Sequence, residues 1–176
     1  MQQIASSASE SDRIDGKPIT YENLLSRRGA PWTFDAKLCM KAFSEARQNG
    51  EASLPTYSRP KSDPVPDGVT LSSQNRVVLL EGNYLLCFND DLYGWGDMKK
   101  YKIFDETWYV ECISMEQQRE RLIYRHLETW TKEKTKMFGA DGKEGAARKA
   151  DSNDVLNAEW VAKMSKQNAD LIVVNL

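Results

Sequence analysis

Residues 76–83 read Arg-Val-Val-Leu-Leu-Glu-Gly-Asn, an apolar run that ends at an acidic residue and a glycine. A short, continuous apolar run bounded by turn-forming residues is typical of a strand that is buried on both faces of a parallel sheet. Two further runs of this kind occupy residues 107–113 and 171–174. Helical patterns at residues 115–130 and 155–166 alternate with them, so the sequence predicts an α/β fold with a mainly parallel sheet.

The carboxyl end of the predicted strand at residues 76–80 is the first place where we expect a ligand site. Ligands in open α/β sheets bind in the crevice beyond the carboxyl ends of the strands. Glu81-Gly82-Asn83 follows that strand directly. Glu81 and Asn83 are therefore candidate site residues.

The N-terminal part of the chain contains one clear helix. Residues 1–13 are rich in Ser, Gln and Ala and are predicted to form a disordered tail. A short helix at residues 20–26 and a dense loop at residues 27–35 follow. Asp35 is placed to cap the next helix, whose apolar residues share one face until Gly50 ends it.

Two later stretches predict loops. Four prolines between residues 54 and 68 remove backbone donors and are expected to prevent regular structure; they are Pro55, Pro60, Pro64 and Pro66. Residues 132–150 are polar, contain Gly and Lys, and are predicted to be a mobile lid or loop. All of these elements fit into one predicted domain at residues 14–176.

The composition excludes several classes of protein. Lys and Arg total 24, Asp and Glu total 26, and the net charge of −2 is unlike that of a nucleic-acid-binding protein. No apolar run approaches the roughly 20 residues that span a bilayer, so we expect no membrane contact. Three cysteines and one histidine are too few for the usual zinc sites. With no secretory signal pattern at the N-terminus, free thiols in a cytoplasmic protein are expected.

Six motifs occur in order along the chain. They are Arg27-Arg28-Gly29-Ala30-Pro31-Trp32-Thr33-Phe34-Asp35, Asp63-Pro64-Val65-Pro66, Val78-Leu79-Leu80-Glu81-Gly82-Asn83-Tyr84-Leu85-Leu86, Arg121-Leu122-Ile123-Tyr124-Arg125-His126, Asn153-Asp154-Val155-Leu156-Asn157-Ala158 and Ala169-Asp170. Together they resemble the P-loop kinases of the phosphoribulokinase/uridine kinase group, especially the uridine-kinase-like and bacterial pantothenate-kinase-like proteins. The resemblance covers residues 14–176.

This resemblance implies a P-loop NTPase-type fold, in which a doubly wound, mainly parallel sheet carries helices on both faces. It also implies a kinase that uses ATP and Mg²⁺ to phosphorylate a hydroxyl of a small metabolite, such as a nucleoside, pantothenate or a sugar-like compound. The implied partner is a small-molecule substrate, without nucleic acid or membrane. Uridine, pantothenate, a sugar and glycerate are all compatible acceptors, and the oligomeric state is left open.

The phosphate loop of that family is absent from the sequence. The loop reads Gly-x-x-x-x-Gly-Lys-Ser/Thr, and its backbone N–H groups and lysine hold the phosphates. Gly16-Lys17 precedes Pro18, and Gly142-Lys143 precedes Glu144, so neither pair supplies the required hydroxyl. We therefore expect a chain that lacks the N-terminal strands of the family and is inactive by itself. The alternative is a non-catalytic remnant or binding module that a partner chain completes.

The resemblance assigns roles to residues near the predicted strand and the dense loop. It implies that Glu81 takes part in catalysis and binds Mg²⁺, directly or through water, or else orients the substrate hydroxyl. The alternative is a carboxylate that nearby helix N-termini satisfy. Substrate contacts are implied for Arg27, Arg28, Gly29, Arg59, Asn83 and Tyr84. Arginine offers several donors to oxyanions, although a solvated turn would also explain the two adjacent arginines. Ser58 stands where relatives often carry Asp, so one expected carboxylate contact is lost.

Two arginines on the predicted helix at residues 115–130 are catalytic candidates. Arg121 and Arg125 lie four residues apart on one flank, and the resemblance implies that they anchor a lid over ATP. The alternative is a solvated flank that is salt-bridged to a residue such as Glu128. His126 falls on the apolar face and is predicted to be a packed, hydrogen-bonded core histidine.

Three polar residues begin the next helix. The resemblance implies that Asn153, Asp154 and Asn157 bind the nucleotide at its base end, whereas helix capping alone would explain one of them. The five tryptophans are interpreted as core or pocket lining, and no chemistry is assigned to them.

Overall fold

The structure is a computed structural model that describes residues 13–14, 17–58 and 63–175. Its strands are β1 (Arg13–Ile14), β2 (Lys17–Pro18), β3 (Ala52–Ser58), β4 (Asp63–Leu71), β5 (Trp108–Cys112) and β6 (Leu171–Asn175). Its α-helices are α1 (Tyr21–Ser26), α2 (Ala36–Asn49), α3 (Met115–Glu128), α4 (Lys132–Phe138), α5 (Gly142–Lys149) and α6 (Val155–Ser165). The predicted tail lies outside the described residues except for Arg13, which pairs with Pro18.

The parallel pair that the sequence predicts is present. β5 pairs with β6 in parallel, in a register that runs from Trp108 opposite Leu171 to Cys112 opposite Asn175. Asp170 fixes the start of this register, because its Oδ2 accepts bonds of 2.8 Å from both the N–H and the hydroxyl of Thr107. The α/β expectation is confirmed in this half of the chain.

The strand predicted at residues 76–80 is wrong. This segment has no regular secondary structure, and Leu79 is 90% exposed. A strand needs the backbone of a neighbour to satisfy its N–H and C=O groups, and among the described residues β5 pairs only with β6. Residues 77–79 therefore lie unpaired on the surface, whereas Leu80 is half-buried and packs on the main core.

The irregular structure predicted between residues 54 and 68 is wrong in the part that the structure describes; residues 59–62, with Pro60, lie outside the described residues. β3 and β4 form an antiparallel hairpin. In a two-stranded ribbon both strands are edges, so a proline whose nitrogen faces outward removes no ladder bond. Pro55 sits where the register shifts between Leu54 and Thr56, and Pro64 lies opposite Tyr57.

Helix α2 follows its sequence signals. Asp35 Oδ1 accepts a hydrogen bond of 2.8 Å from the N–H of Leu38, as an N-cap should. Gly50 ends the helix in the left-handed conformation at φ 71°. Met40 on this helix is almost fully buried in the main core. Its buried members are Ala36, Met40, Tyr84, Cys87, Trp95, Met98 and Ile103.

The segment predicted as a mobile lid or loop at residues 132–150 is folded into α4 and α5. Ala146 on α5 forms a second, smaller core with Ile123 of α3 and with Ala150 just beyond α5. A β-carbon on Gly145 would lie 2.4 Å from the Trp130 ring, so the close approach of α5 requires a glycine there. No helix in the described part of the chain is long and apolar enough to cross a membrane.

Candidate functional site

A hydrogen-bonded cluster joins the dense loop after α1 to the start of α6. Arg27 Nε lies 3.0 Å from Asn153 Oδ1, and Arg27 Nη2 lies 3.3 Å from Asn157 Oδ1. Asn153 also donates from Nδ2 to the carbonyl of Arg28 at 2.9 Å. Both asparagines are buried. Residues predicted for two different subsites, substrate and nucleotide, are thus in direct contact with one another.

Side chains from two other segments, Tyr57 and Tyr84, hydrogen-bond to the same loop. Arg28 donates to the Tyr57 hydroxyl on β3, and its guanidinium lies 5.7 Å from the centre of that ring. The buried Tyr84 hydroxyl donates to the carbonyl of Gly29, which has a φ of 97° and so favours glycine. Burial raises the pKa of the Tyr84 hydroxyl, which therefore stays protonated as a donor. The loop is positioned before any ligand binds.

The polar residues that precede α6 lie on a π-helical turn. The turn spans Ala150–Asp154, and the Val155 N–H donates to the Ala150 carbonyl five residues back instead of four as in an α-helix. Asp151 pairs with Arg119 on α3, at 2.6 and 2.8 Å. Asp154 Oδ2 lies 2.5 Å from His126 Nε2, also on α3. The turn therefore ties α3 to the cluster around Asn153.

His126 is packed and hydrogen-bonded, as predicted. It is 6% exposed, and Lys149 Nζ lies 3.1 Å from its Nδ1. Because an ammonium group can only donate, Nδ1 accepts and Nε2–H donates to Asp154, which is the neutral tautomer. Burial lowers the pKa of His126, and burial likewise lowers the pKa of Lys149.

An open cleft of about 550 Å³ lies beside the cluster. Its volume falls in the range of pockets that bind small metabolites. The lining residues are Lys17, Arg27, Pro31, Trp32, Tyr93, Ser152, Leu156, Asn157 and Trp160. Three aromatic rings, the Asn157 amide and the Arg27 guanidinium thus meet at one opening.

Three aromatic side chains form the walls of the cleft. Tyr93 lies between the tryptophans, with its ring centre 5.2 Å from that of Trp32 and 5.8 Å from that of Trp160. The Arg27 guanidinium lies 5.1 Å from the centre of the Trp32 ring. Among the described side chains, Trp32 Nε1 is a buried polar atom without a hydrogen-bond partner. A buried donor without a partner costs free energy.

The sequence alone predicts no chemical role for these aromatic residues. One signal was available, because Asn153, Asn157 and Trp160 are spaced four and three apart and so share a helical face. Trp32 lies within the loop that contains Arg27. Tyr93 offered no such signal, because it reaches the cleft only through the folding of residues 84–95.

The remaining predicted site residues that the structure describes have their contacts with residues outside the cluster. Glu81 and Asn83 are exposed on the segment before Tyr84. Arg121 Nη1 lies 3.7 Å from Cys112 Sγ, at the end of β5. Arg125 is exposed and near enough to His126 to help lower its pKa. Arg59 lies outside the described residues.

The residues present do not fit the triphosphate of ATP. The sequence contains no Gly-x-x-x-x-Gly-Lys-Ser/Thr segment to supply a row of backbone donors. The described residues also contain no group of three or more His, Cys, Asp or Glu side chains that could hold a metal ion. A single carboxylate such as Glu81 holds Mg²⁺ only together with water and phosphate oxygens, so its metal role stays a prediction.

The known proteins that resemble this chain are named as kinases or kinase-like proteins. No established protein-family profile matches the chain. The chain is 32% identical over 144 residues to the ATP-dependent kinase-like protein notR' of Aspergillus versicolor, covering 79% of this chain and 76% of that protein. It is 30% identical over 159 residues to a Schizosaccharomyces pombe protein named "Putative uridine kinase", covering 89% of this chain. The chain spans 60% of the length of that relative.

Solved structures agree with this result. A protein from Silicibacter described as a "putative fructose transport system kinase" superposes with a TM-score of 0.68 at 27% identity, over 86% of this chain and 65% of that one. YFH7 from Saccharomyces cerevisiae, described as "a putative P-loop containing kinase", superposes with a TM-score of 0.66 at 22% identity, over 88% of this chain and 51% of that one. At this identity it supports the fold alone. Because a relative above 30% identity is covered over most of its length, the chain belongs to the P-loop kinases of the uridine kinase and pantothenate kinase group.

Proposed function

We propose that this chain carries the acceptor-binding part of an ATP-dependent small-molecule kinase. In this proposal the cleft beside Arg27 and Asn157 binds the metabolite whose hydroxyl is phosphorylated. The chain binds that metabolite by itself but does not transfer phosphate by itself, because it has no phosphate loop.

The observation that carries the proposal is the bonding of Arg27 to both Asn153 and Asn157 at the edge of the cleft. Buried amides and a guanidinium offer fixed donors and acceptors, which suit a ligand rich in hydroxyl groups. The Tyr84 and Asn153 bonds hold the loop rigidly, so little ordering is needed when a ligand binds.

The contacts with Arg27 lead us to reassign two residues, Asn153 and Asn157. Asn153 and Asn157 were predicted at the base end of the nucleotide. Their contacts with Arg27 favour the acceptor side of the site instead. Asp154 faces His126 and acts as a positioning residue for its neighbours rather than as a ligand contact.

A second candidate function is a binding module that a partner chain completes. The observation in its favour is the exposed apolar run at residues 77–79, where Val77 is 76% and Leu79 is 90% exposed. Exposed apolar surface of this kind marks an interaction site or an aggregation hazard. Purification of a stable complex in which residues 77–79 are protected from hydrogen exchange would favour this function.

The acceptor proposal is tested by titrating the 176-residue chain with uridine, pantothenate and fructose, each separately, by calorimetry. We expect saturable binding of at least one compound without ATP. Asn157→Ala should weaken that binding about tenfold, the scale of a lost hydrogen bond to a charged group. Gln167→Ala, an exposed amide just beyond α6, is the matched control and should bind like the wild type. Equal affinity in both variants would exclude the cleft as the site.

A further inference from the structure

Asp154, His126 and Lys149 form a hydrogen-bonded row of three side chains that does not line the cleft. His126 Nε2 lies 2.5 Å from Asp154 Oδ2, and His126 Nδ1 lies 3.1 Å from Lys149 Nζ. The three residues come from three elements: α3, the π-helical turn and the last residue of α5. The function proposed above makes no use of this row.

The three groups stand in the order of a nucleophile, a base and a carboxylate that orients the base. Because Asp154 holds Nε2–H of the neutral ring, the lone pair of His126 Nδ1 faces the Lys149 amine. A base in this position can take the proton that an amine loses when it attacks an electrophile. Lys149 forms no ion pair with any carboxylate in the described part of the chain, so its contact is not an ordinary lysine salt bridge.

The surroundings of Lys149 favour its neutral, nucleophilic form. Burial lowers the pKa of Lys149, and the positive charges of Lys134 on α4 and Arg125 on α3 lower it further. Asp154 on the π-helical turn opposes them, but the net direction is downward. These charges come from each of the elements that pack against α5. Lys149 is only half-buried, so a small reagent can reach it.

We propose that Lys149 is an acylation site, at which Nζ attacks the carbonyl carbon of an acyl phosphate while His126 Nδ1 accepts the proton. The C–N bond forms, and the C–O bond to phosphate breaks with its electron pair leaving on inorganic phosphate. The proton passes from His126 to solvent. Arg125 and Lys134 supply positive charge for the phosphate of the acyl donor. The step needs neither ATP nor an acceptor in the cleft.

Acylation of Lys149 changes the charge beside His126. The positive charge of Lys149 helps to lower the pKa of His126, and an amide carries no such charge. The pKa of His126 should therefore rise in the acylated protein, because the cationic ring then faces Asp154 with one repulsive neighbour fewer. Modification of the lysine and ionisation of the histidine are thus coupled.

Acetyl phosphate is the probe for this site, and an exposed lysine of the same chain is the reference. Mass spectrometry of chymotryptic peptides at pH 7 should find Lys149 acetylated at least about fivefold faster than Lys132, since a lowered pKa leaves more neutral amine. The advantage should shrink toward pH 10, where Lys132 also becomes neutral. Acetylation of Lys149 no faster than that of Lys132 at pH 7 would overturn the proposal.

His126→Gln tests the base. Glutamine can still bond to Asp154 but cannot take up the proton, so Lys149 should be acetylated at least about fivefold more slowly while Lys132 reacts as in the wild type. Circular dichroism in parallel confirms that the variant is folded. An unchanged rate at Lys149 would show that His126 takes no part in the step.

A second measurement needs no variant. The ring protons of His126, the single histidine, report its pKa by NMR in the untreated and in the acetylated wild-type protein. We expect the His126 resonances to titrate at a higher pH after acetylation. A pKa of His126 that is equal or lower after acetylation would contradict the coupling and with it the proposed site.

Discussion

Arg27 Nε and Asn153 Oδ1 lie 3.0 Å apart although the two residues are 126 positions apart in the chain. Through this bond the loop after α1 and the π-helical turn before α6 form one unit. The unit borders the cleft, and Asn153 is buried within it. We therefore expect substitutions here to affect the stability of the whole chain and not only a local loop.

Asn153→Ala should lower the free energy of unfolding by about 1–3 kcal/mol, because it leaves the Arg28 carbonyl and the Arg27 guanidinium without this partner. Urea denaturation followed by circular dichroism measures the change. Asn49→Ala, at the exposed end of α2, is the control and should change stability by less than about 0.5 kcal/mol. A loss no greater than that of the control would contradict the coupling between loop and turn.

The stability of the protein should fall as the pH is lowered through about 6.5, the ordinary pKa of histidine. Burial holds the pKa of His126 below that value in the folded state, so the unfolded chain binds a proton first and unfolding is favoured. Well above pH 6.5 His126 is neutral in both the folded and the unfolded chain, and it no longer makes stability depend on pH. Protonation would also place a third positive charge beside Lys149 and Arg125.

His126 is the single histidine in the sequence, so its contribution can be isolated. His126→Gln should flatten the dependence of unfolding free energy on pH between 7.5 and 5.5, because glutamine does not titrate. Urea midpoints for both proteins at several pH values in this interval provide the measurement. A wild-type protein that becomes more stable on acidification across this window would show that the sign of the argument is wrong.

The three cysteines should differ in their reaction with iodoacetamide at pH 8. Burial raises the pKa of both Cys39 and Cys87 to about 11, which leaves little reactive thiolate. Cys87 is fully buried beside the Ser165 hydroxyl, whereas Cys112 is partly exposed at the end of β5. Mass spectrometry should find Cys112 modified first and Cys87 last, and Cys112→Ser should remove the fast phase. Early modification of Cys87 would contradict the packing of the main core.

The apolar run at residues 77–79 should limit solubility. Leu79→Lys is expected to reduce aggregation at high concentration without changing the melting temperature, because Leu79 is 90% exposed and buries little surface. Leu92→Lys is the matched control, since Leu92 is 72% exposed but does not belong to the run. Light scattering and thermal unfolding measure the two effects. A large fall in melting temperature for Leu79→Lys would show that this run is packed in solution.

Nucleotide binding should be absent from this chain. The sequence supplies no phosphate loop, so the β- and γ-phosphates of ATP lack their fixed donors. Calorimetric titration of residues 1–176 with ATP and Mg²⁺ should give no saturable heat in the micromolar range. Micromolar binding that depends on Mg²⁺ would require a phosphate site of a different kind.

Local sequence signals predicted much of the fold. They failed where a segment's structure depends on which other segment it pairs with. The Asp35 cap, the β5–β6 pair and the packed His126 follow from short-range patterns, and all are present. The run at residues 76–80 has the composition of a buried strand but no neighbour to pair with, which composition alone cannot reveal. The hairpin of β3 and β4 was missed because prolines are harmless on an edge, and edges are known only from the folded chain.

The sequence predicted several residues of the candidate site, but it did not predict that these residues contact one another. The motifs that contain Arg27 and Asn153 identified the two halves of the cluster. Contact between them depends on the π-helical turn, whose i→i+5 bonding leaves no pattern in the sequence. The aromatic walls come from three distant segments, so only the tertiary structure brings them together.

The central claim, that the cleft beside Arg27 binds the acceptor, is tested most directly by the indole N–H resonances of ¹⁵N-labelled protein. The five tryptophans give five separate reporters; of these, Trp32 and Trp160 line the cleft and Trp108 is exposed on β5. We predict that saturating uridine shifts the Trp32 and Trp160 signals and leaves the Trp108 signal unchanged. Unchanged Trp32 and Trp160 signals with uridine, pantothenate and fructose alike would contradict the account.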